Sequence, residues 1–394
     1  MSHVEAPHNK PRVAVLGASG SLGGEVCTLA GQLLDADLLI SGRNSKALEK
    51  VSAKLPRPAT VVAGDLHSLG ADAVEMFSSC DILLNCTGPS WKNAAAAASL
   101  ALKTKGHYVD PGGYASAMTV LEPHHDSFAR EGRSCLIGAG WMPGLSELAA
   151  RHLLLDAAER FGESVSEVDI FFGARDHWPR SSVSDMIWHL FELPHSLGWF
   201  ERGEWKKATP WNMGASVALT PFGKKERVSW AYNAPFARMS KEHPELRIRA
   251  GLMFVGAATQ ATIGIIRLFL RNHREIAEGL LQKAIARDAK KRGKIGLVVG
   301  RARTCSNREL SFAVSTKDNM RITALTAVLA AKHALNHATA PGVAYFDQMV
   351  SPRDFFADIR STDISVSDII TIEKHYSYIH RYCYVFFIKK IQIG

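Results

Sequence analysis

The chain has 394 residues, of which 46% are hydrophobic and 22% are charged, and its formal net charge is +9. These proportions are typical of a globular protein whose length suits two domains with separate cores. Residues 1–12 lack the apolar core of a signal peptide, and the six scattered cysteines have neither disulfide-framework nor metal-ligand spacing. We therefore expect a cytoplasmic protein that holds no metal.

The positive charge is concentrated between residues 201 and 303, which hold 21 Lys and Arg residues and eight Asp and Glu residues. Such an excess attracts anionic substrates or carriers. Solvated helix faces also explain it, and we prefer that interpretation. No nucleic-acid-binding motif accompanies the basic residues, so we expect no nucleic acid partner.

The most informative segment is residues 13–23, with the sequence Val-Ala-Val-Leu-Gly-Ala-Ser-Gly-Ser-Leu-Gly. Its apolar run predicts a buried parallel strand, and the glycine turn that follows opens a helix. Gly17 permits a tight turn, Gly20 lets a pyrophosphate approach, and Gly23 allows close packing of helix and strand. The helix N-terminus favours the negative charge of the ligand. The spacing is G-x-x-G-x-x-G, and we predict dinucleotide contacts from Gly17, Ala18, Ser19, Gly20, Ser21, Leu22 and Gly23.

The end of the second strand indicates which dinucleotide binds. The apolar run at residues 38–40 ends in Ser41, Gly42, Arg43 and Asn44, where NAD sites usually have an acidic residue for the ribose 2′-hydroxyl. A guanidinium suits the 2′-phosphate of NADP(H) instead, and Ser41 and Asn44 add polar donors. After the third apolar run come Asp65 and Leu66, and Asp65 either accepts from the adenine amino group or caps a helix.

Three further strands are predicted at residues 81–86, 107–110 and 134–140, each followed by a loop that contains glycine. Ligands of such sheets lie beyond the carboxyl ends of the strands, so we expect these loops and the first glycine turn to meet at one crevice. The further cofactor contacts predicted there are Cys86, Thr87, Gly88, Pro89, Gly112, Trp141, Met142 and Pro143. Pro143 is expected to start a helix, and Trp141 to form a wall of the substrate pocket.

These motifs, in this order, resemble the saccharopine dehydrogenase-like (saccharopine reductase) oxidoreductases. The resemblance is carried by residues 17–23, 41–44, 85–89, 108–110 and 140–145, with additional similarity at 339–343 and 351–356. It implies an α/β protein with a Rossmann-type doubly wound parallel sheet and an inserted α+β substrate or dimerisation domain. It also implies NADP(H) and the reduction of C=N bonds or oxidation of secondary amines, while some relatives resemble enoyl reductases acting on polyketide chains.

On this basis we assign residues 1–146 to the NADP(H)-binding domain and 147–320 to the inserted domain. Residues 321–360 are expected to return to the Rossmann domain as a helix and a segment, and 361–394 form a tail whose structure the sequence leaves open. A homodimer is expected. The apolar run at 251–270 is interpreted as a buried or dimer-forming helix rather than a membrane span, because polar residues interrupt it.

The middle region carries the substrate hypothesis. A probable strand at residues 168–173 precedes Arg175, His177, Arg180 and Ser182, and then a helix over 183–191. These four residues are placed at the substrate, where arginine would clamp a carboxylate and His177 would exchange a proton with a substrate nitrogen. The alternative is a helix capped by Ser181 or Ser182 that follows an edge strand.

Three side chains are candidates for proton exchange, namely Tyr114, His177 and Asp110, although Asp110 also suits the fixing of a loop through backbone N–H groups. The predicted function is an NADPH-dependent reductase of an imine in an amino-acid-like or natural-product substrate. Two alternatives stay open: a trans-acting enoyl or keto reductase on a carrier-bound chain, and a non-catalytic NADPH-sensing module. The sequence lacks the Tyr-x-x-x-Lys pair of short-chain dehydrogenases.

Overall fold

The computed structural model describes residues 10–112, 115–192, 197–209, 211–219, 224–253, 256–367 and 370–372. Within them, a first sheet has seven strands, all paired in parallel. The strands are β1 (Arg12–Leu16), β2 (Asp37–Gly42), β3 (Thr60–Ala63), β4 (Ile82–Asn85), β5 (His107–Asp110), β6 (Ser134–Ile137) and β15 (Gly342–Tyr345). Their order is β15-β6-β5-β4-β1-β2-β3, so the chain reverses direction across the sheet between β1 and β4. Ligands bind at such a switch point, beyond the carboxyl ends of the strands.

Helices cover both faces of this sheet, and its central strands β1, β4, β5 and β6 are almost completely buried. Strands buried on both faces are near-continuous apolar runs, which is why the sequence predicts them well. The helices are α1 (Ser21–Leu33), α2 (Ser45–Ser52), α3 (Ala71–Ser78), α4 (Ser90–Ala101), α5 (Ala115–Leu121), α6 (His125–Arg130) and α7 (Leu145–Phe161). The predicted α/β class with a doubly wound parallel sheet is confirmed.

A second, mixed sheet follows α7. Its strands are β7 (Val165–Arg175), β8 (Gly198–Glu201), β9 (Glu204–Lys207), β10 (Gly214–Leu219), β11 (Lys224–Trp230), β12 (Arg247–Met253), β13 (Ile295–Thr304), β14 (Glu309–Thr316), β16 (Ser365–Val366) and β17 (Ile370–Ile372). The main order is β10-β11-β12-β7-β13-β14-β16, in which β12 and β7 are parallel and the other neighbours antiparallel. The helices between these strands are α8 (Arg180–Glu192), α9 (Ala234–Glu242), α10 (Ala257–Phe269) and α11 (Arg274–Arg292).

The chain then returns to the first sheet through α12 (Asn319–Leu335), which packs on α1. Strand β15 pairs with β6 and extends the sheet, and α13 (Phe346–Met349) and α14 (Pro352–Arg360) follow it. One cluster of buried side chains runs from β1 through α7 and α12 to β7 and β14, so the two sheets share a core. Of the predicted tail, β16 and β17 pair with β14, and residues 373–394 lie outside the described residues.

Two predicted helices differ from the structure. The helix expected at 183–191 begins at Arg180, which puts Ser181 and Ser182 inside its first turn and makes their prediction as caps wrong. The single helix expected over 251–270 is wrong in its first part, because Gly251–Met253 completes β12 and pairs with β7 and β11. An apolar run without clear periodicity does not distinguish a strand end from a helix.

No helix in the described ranges is both long enough and apolar enough to cross a membrane. In the same ranges, no three His, Cys, Asp or Glu side chains gather in an arrangement that could hold a metal ion.

Candidate functional site

Two glycines in the turn after β1 are required by the fold itself. Gly17 has a φ of +74°, and a Cβ atom there would lie 2.7 Å from the carbonyl oxygen of Cys86. A Cβ atom on Gly23 would lie 2.2 Å from the carbonyl oxygen of Gly17. Any larger residue at either position displaces backbone, so these glycines hold the first turn of α1 against β1 and the loop after β4.

Gly20 has a different environment. It is the N-cap of α1, has a φ of −80°, and an added Cβ atom would meet only the carbonyl oxygen of Gly17, at 3.2 Å. Ser19 and Ser21 beside it are exposed, no side chain caps α1, and its first turn has no acidic residue. The first N–H groups of a helix have no partner within the helix, so this N-terminus offers donors to an anion. The turn therefore fits the pyrophosphate of a dinucleotide.

The end of β2 lies beside this turn. The carbonyl oxygen of Ser41 accepts from the backbone N–H of Ala18 at 2.9 Å. Arg43 is exposed and has no hydrogen-bond or ion-pair partner among the described residues. The Asn44 side chain caps α2 by accepting from the N–H of Ala47 at 3.1 Å. The site thus offers an unengaged guanidinium where an NAD site usually has a carboxylate.

Asp65 shows the second of the two roles that the sequence allows. Its carboxylate accepts from the backbone N–H of His67 at 2.9 Å and so caps the short 3₁₀ turn at Leu66–Ser68. Leu66, which begins this turn, packs on the apolar cluster that covers the outer face of the first sheet.

The loops after β4, β5 and β6 interlock around Asp110. This carboxylate accepts from the Asn85 amide and the Tyr108 hydroxyl, both at 2.9 Å, and from the Gly112 N–H at 2.7 Å. The Asp110 carbonyl oxygen accepts from the N–H groups of Gly138 and Ala139, which begin the loop after β6. Burial raises the pKa of the Asp110 carboxyl, against the effect of these donors. A fully engaged, buried carboxyl fixes the loops, so the contacts favour the loop-fixing role over proton exchange.

The loop after β4 closes the same edge of the sheet. A Cβ atom on Gly17 would lie 3.0 Å from the Thr87 backbone nitrogen, so the missing side chain leaves room for this loop. The Thr87 hydroxyl donates to the Asn85 side chain at 2.6 Å. Burial raises the pKa of the Cys86 thiol well above its ordinary value, so the thiol is neutral. The four loops after β1, β4, β5 and β6 meet at one edge, as the sequence predicts.

Trp141 is buried in the core that the two sheets share, with only 5% of its surface exposed. Its indole N–H is buried and has no hydrogen-bond partner among the described residues. Met142 and Pro143 follow, but α7 begins at Leu145 after Gly144, whose φ of +134° favours glycine. The prediction that Pro143 starts the helix is therefore wrong.

Glu147 is a site-edge residue that the sequence analysis missed. It is completely buried, and it accepts from the Gly144 N–H at 2.5 Å and the Ser146 hydroxyl at 2.8 Å. The Asn233 amide, before α9, donates to its other oxygen at 2.5 Å and ties the second-sheet region to α7. Burial raises the pKa of Glu147 to about 7. A glutamate three residues after the helix N-cap Gly144 is the signal that indicates such a contact.

The segment before α8 approaches the loop after β4. An added Cβ atom on Gly88 would lie 2.8 Å from the Cβ atom of Ser181. The Trp91 backbone N–H donates to the Asp185 carboxylate at 3.2 Å, and its indole N–H donates to the Ser184 hydroxyl at 3.3 Å. The start of α8 thus lies against the loop that includes Thr87, Gly88 and Pro89, as the predicted arrangement requires.

The individual residues of this segment have different surroundings. The Arg175 guanidinium donates to the carbonyl oxygens of Gly293 and Arg292, at 2.5 and 3.1 Å, at the end of α11. These carbonyls have no partner within the helix, so Arg175 satisfies a helix C-terminus, and its contact with a substrate carboxylate stays a prediction. Arg180 is 74% exposed and lies 3.7 Å from the Glu278 carboxylate.

His177 is exposed and lies four residues before Ser181, while Ser182 is half-buried within α8. The His177 backbone N–H donates to the Asp176 carboxylate at 2.7 Å, and its imidazole has no hydrogen-bond partner among the described residues. Tyr114, the remaining predicted proton donor, lies outside the described residues.

An apolar pocket lies between the ends of β7 and β12 and the helices α8, α10 and α11. Met186, Ile263 and Leu281 are among its lining side chains. The polar groups at its edge are engaged, because Asp288 accepts from the Thr259 N–H and hydroxyl at 2.8 and 2.7 Å. The pocket therefore suits an apolar group better than a carboxylate.

Residues 13–134 match the sequence model of the saccharopine dehydrogenase NADP binding domain, so the chain carries this domain. Apo saccharopine dehydrogenase (L-Glu forming) from Saccharomyces cerevisiae is similar in structure, with a TM-score of 0.64 and 11% identity over 92% of this chain and 100% of that one. Homospermidine synthase from Legionella pneumophila, in complex with NAD, has a TM-score of 0.60 and 12% identity over 91% of each chain. At these identities the similarity establishes a common fold. No curated protein sequence matches this chain.

Proposed function

We propose that this chain, which carries a saccharopine dehydrogenase NADP-binding domain, is an NADP(H)-dependent oxidoreductase. It reduces a C=N bond, or oxidises the corresponding secondary amine, in an amino-acid-like or natural-product substrate. The observation that supports NADP(H) over NAD(H) is Arg43 at the end of β2, whose guanidinium is exposed and has no partner among the described residues. The choice of a C=N bond rests on the family resemblance.

The residues present fit the dinucleotide. The first turn of α1, from Gly20 to Gly23, would hold the pyrophosphate, and Arg43 with Ser41 and Asn44 would hold the 2′-phosphate. The loops at 86–89, 112 and 141–143 would surround the nicotinamide end. Bound NADPH would supply the hydride to the substrate carbon.

The chain's own residues orient the substrate and handle the proton. Ser181 and Gly88 hold α8 against the loop after β4, and Asp110 locks three loops together. Two residues are candidates for exchanging a proton with the substrate nitrogen: His177, which lies within the described residues, and Tyr114, which does not. Such groups raise the rate by fixing the geometry of the reacting atoms and by general acid–base catalysis.

One observation favours the second candidate function, an enoyl or keto reductase on a carrier-bound chain. The pocket walled by Ile263 and Leu281 is apolar, and the polar groups at its edge are already engaged. A pocket with an open arginine would have favoured an amino acid carboxylate.

NADPH oxidation measured with a panel of cyclic and acyclic imines, and with enoyl and keto thioesters, separates these functions. The proposal predicts turnover with at least one imine and a lower rate with every thioester. Turnover confined to thioesters would replace it with the second candidate. Tight NADPH binding without turnover of any acceptor would indicate a sensor. The cytoplasmic location and the homodimer stay predictions.

A further inference from the structure

The helical hairpin formed by α10 and α11, residues 257–292, exposes an unusual amount of apolar surface. Leu268 and Phe269, at the end of α10, are 76% and 73% exposed. Ile265 on α10 and Ile276 and Leu280 on α11 are also exposed, between 42% and 55%. Single exposed apolar residues are ordinary, but Ile265, Leu268 and Phe269 share one helix face by their spacing, and such a group marks an interaction surface.

The core accounts for only one side of α10. Ile263 and Ile266 are buried and pack with Leu281 and Ile285 of α11 and with Val183 of α8. Ile265 and Leu268 are three residues apart and therefore share a helix face, which lies opposite Ile263. Both faces of α10 are thus apolar, and within the described residues nothing covers the outer one.

Basic residues accompany the apolar side chains along the hairpin, with Arg271 at the turn and most of the others toward the end of α11, beside the start of α10. The hairpin holds eight Lys and Arg residues and three acidic ones. Two of the acids are engaged within the protein, since Glu278 lies near Arg180 and Asp288 accepts from Thr259. Among the basic residues, Arg274 pairs with Glu192. Arg271, at the turn between the helices, is exposed, and so are the basic residues Lys283, Arg287, Lys290, Lys291 and Arg292 of α11.

We propose that this hairpin docks on the surface of an anionic lipid bilayer. Leu268, Phe269 and Ile265 enter the boundary between head groups and acyl chains, and the basic residues lie at the lipid phosphates. Helices that lie in the membrane interface combine an exposed apolar face with basic residues that contact anionic lipids. The hairpin lies on the membrane rather than crossing it, because α10 has 13 residues and a span needs about 20.

The same charges argue against a second copy as the occupant. A twofold interface places the same patch on both subunits, so a surface with an excess of basic residues would face an identical basic surface. Like charges across an interface disfavour association, whereas an anionic bilayer neutralises them.

Co-sedimentation with phosphatidylcholine vesicles, with and without phosphatidylglycerol, tests the proposal. The full chain is expected to bind the anionic vesicles and not the neutral ones. The double substitution Leu268→Ser/Phe269→Ser should weaken binding by about tenfold to a hundredfold, because two apolar side chains no longer enter the lipid. Trp211→Ser is the matched control: this side chain is 95% exposed but lies outside the hairpin, so binding should not change.

A second variant tests the charge. Arg271→Glu should weaken binding to anionic vesicles and reduce its sensitivity to salt. NADPH affinity should stay at the wild-type value in all variants, which shows that they fold and separates this test from the proposed function. Failure of the wild-type chain to bind anionic vesicles, or equal binding by the double variant, overturns the proposal. A wild-type dimer that the double substitution converts to a monomer, without vesicle binding, assigns the surface to a second copy and also overturns it.

Discussion

Ser181, in the first turn of α8, lies close to Gly88: a Cβ atom added to Gly88 would be 2.8 Å from the Cβ atom of Ser181. This contact joins a helix of the second-sheet region to the loop after β4. We expect Gly88→Ala to destabilise the protein by about 1–3 kcal/mol, because the added atom overpacks the contact. Ser181→Gly in the same chain should restore part of that loss. Urea unfolding of the two single variants and the double variant measures the coupling, and additive losses would contradict it.

The second prediction concerns the cofactor preference. Arg43→Ala should remove one charge-assisted contact to the 2′-phosphate, at a cost of about 1.5–3 kcal/mol, or roughly tenfold to a hundredfold in NADPH affinity. NADH affinity should change little, because NADH has no phosphate there. Lys50→Ala is the control, an exposed cation in the last turn of α2. A wild-type chain that prefers NADH, or equal losses for both cofactors, would remove the assignment.

The third prediction uses the different environments of the glycines near the start of α1. Gly20→Val should abolish NADPH binding and leave the fold intact, since its Cβ atom meets only one protein atom, at 3.2 Å, and its methyl groups fill the phosphate position. Gly24→Ala is the control, because a Cβ atom there makes an ordinary contact of 3.7 Å with the Ala18 carbonyl oxygen. Fluorescence titration with NADPH and far-UV circular dichroism measure both properties. A folded Gly20→Val variant that binds NADPH normally would show that the pyrophosphate lies elsewhere.

The sequence predicts the first sheet well because each of its signals is local. The strand, turn and helix at residues 13–23 follow from adjacent apolar residues and glycines, and the capping role of Asp65 was one of its two expected roles. The role of Arg175 was not predictable, because its partners at 292 and 293 lie more than a hundred residues away at a helix end. The strand end at Gly251–Met253 was missed for a similar reason, since its pairing with β7 is non-local.

The fourth prediction tests Trp141, which the sequence analysis treated as a pocket wall. Because the side chain is 5% exposed, Trp141→Ala would leave a cavity and lower the free energy of unfolding by about 3–5 kcal/mol. A loss of activity in that variant could not be separated from a loss of folded protein. Trp141→Phe keeps most of the volume and removes the unpartnered indole N–H. On the hypothesis that the substrate accepts from this N–H, we expect turnover to fall more than NADPH affinity. Increased stability with unchanged turnover would show that the N–H binds no ligand.

The last prediction is a pH dependence of stability that originates from Glu147. Burial raises its pKa from 4.5 to about 7, so the folded state holds the proton more tightly than the unfolded state. Between pH 4.5 and 7 the folded protein binds more protons, and the contribution of this group to stability is therefore lost as the pH rises. The pKa difference corresponds to about 3 kcal/mol across that window.

Glu147→Gln does not titrate, so its free energy of unfolding should gain about 3 kcal/mol relative to the wild type between pH 4.5 and pH 7.5. Burial also raises the pKa values of Asp110 and Asp347. Both chains contain these residues, so the effect of Asp110 cancels in the difference, whereas the repulsion between Asp347 and Glu147 is part of what the difference measures. Glu49→Gln on the exposed face of α2 is the control, and its curve should run parallel to that of the wild type. Urea unfolding at a series of pH values measures all three chains. A Glu147→Gln curve parallel to the wild type would show that this carboxyl keeps its ordinary pKa, and that the Asn233 and Gly144 donors outweigh the effect of burial.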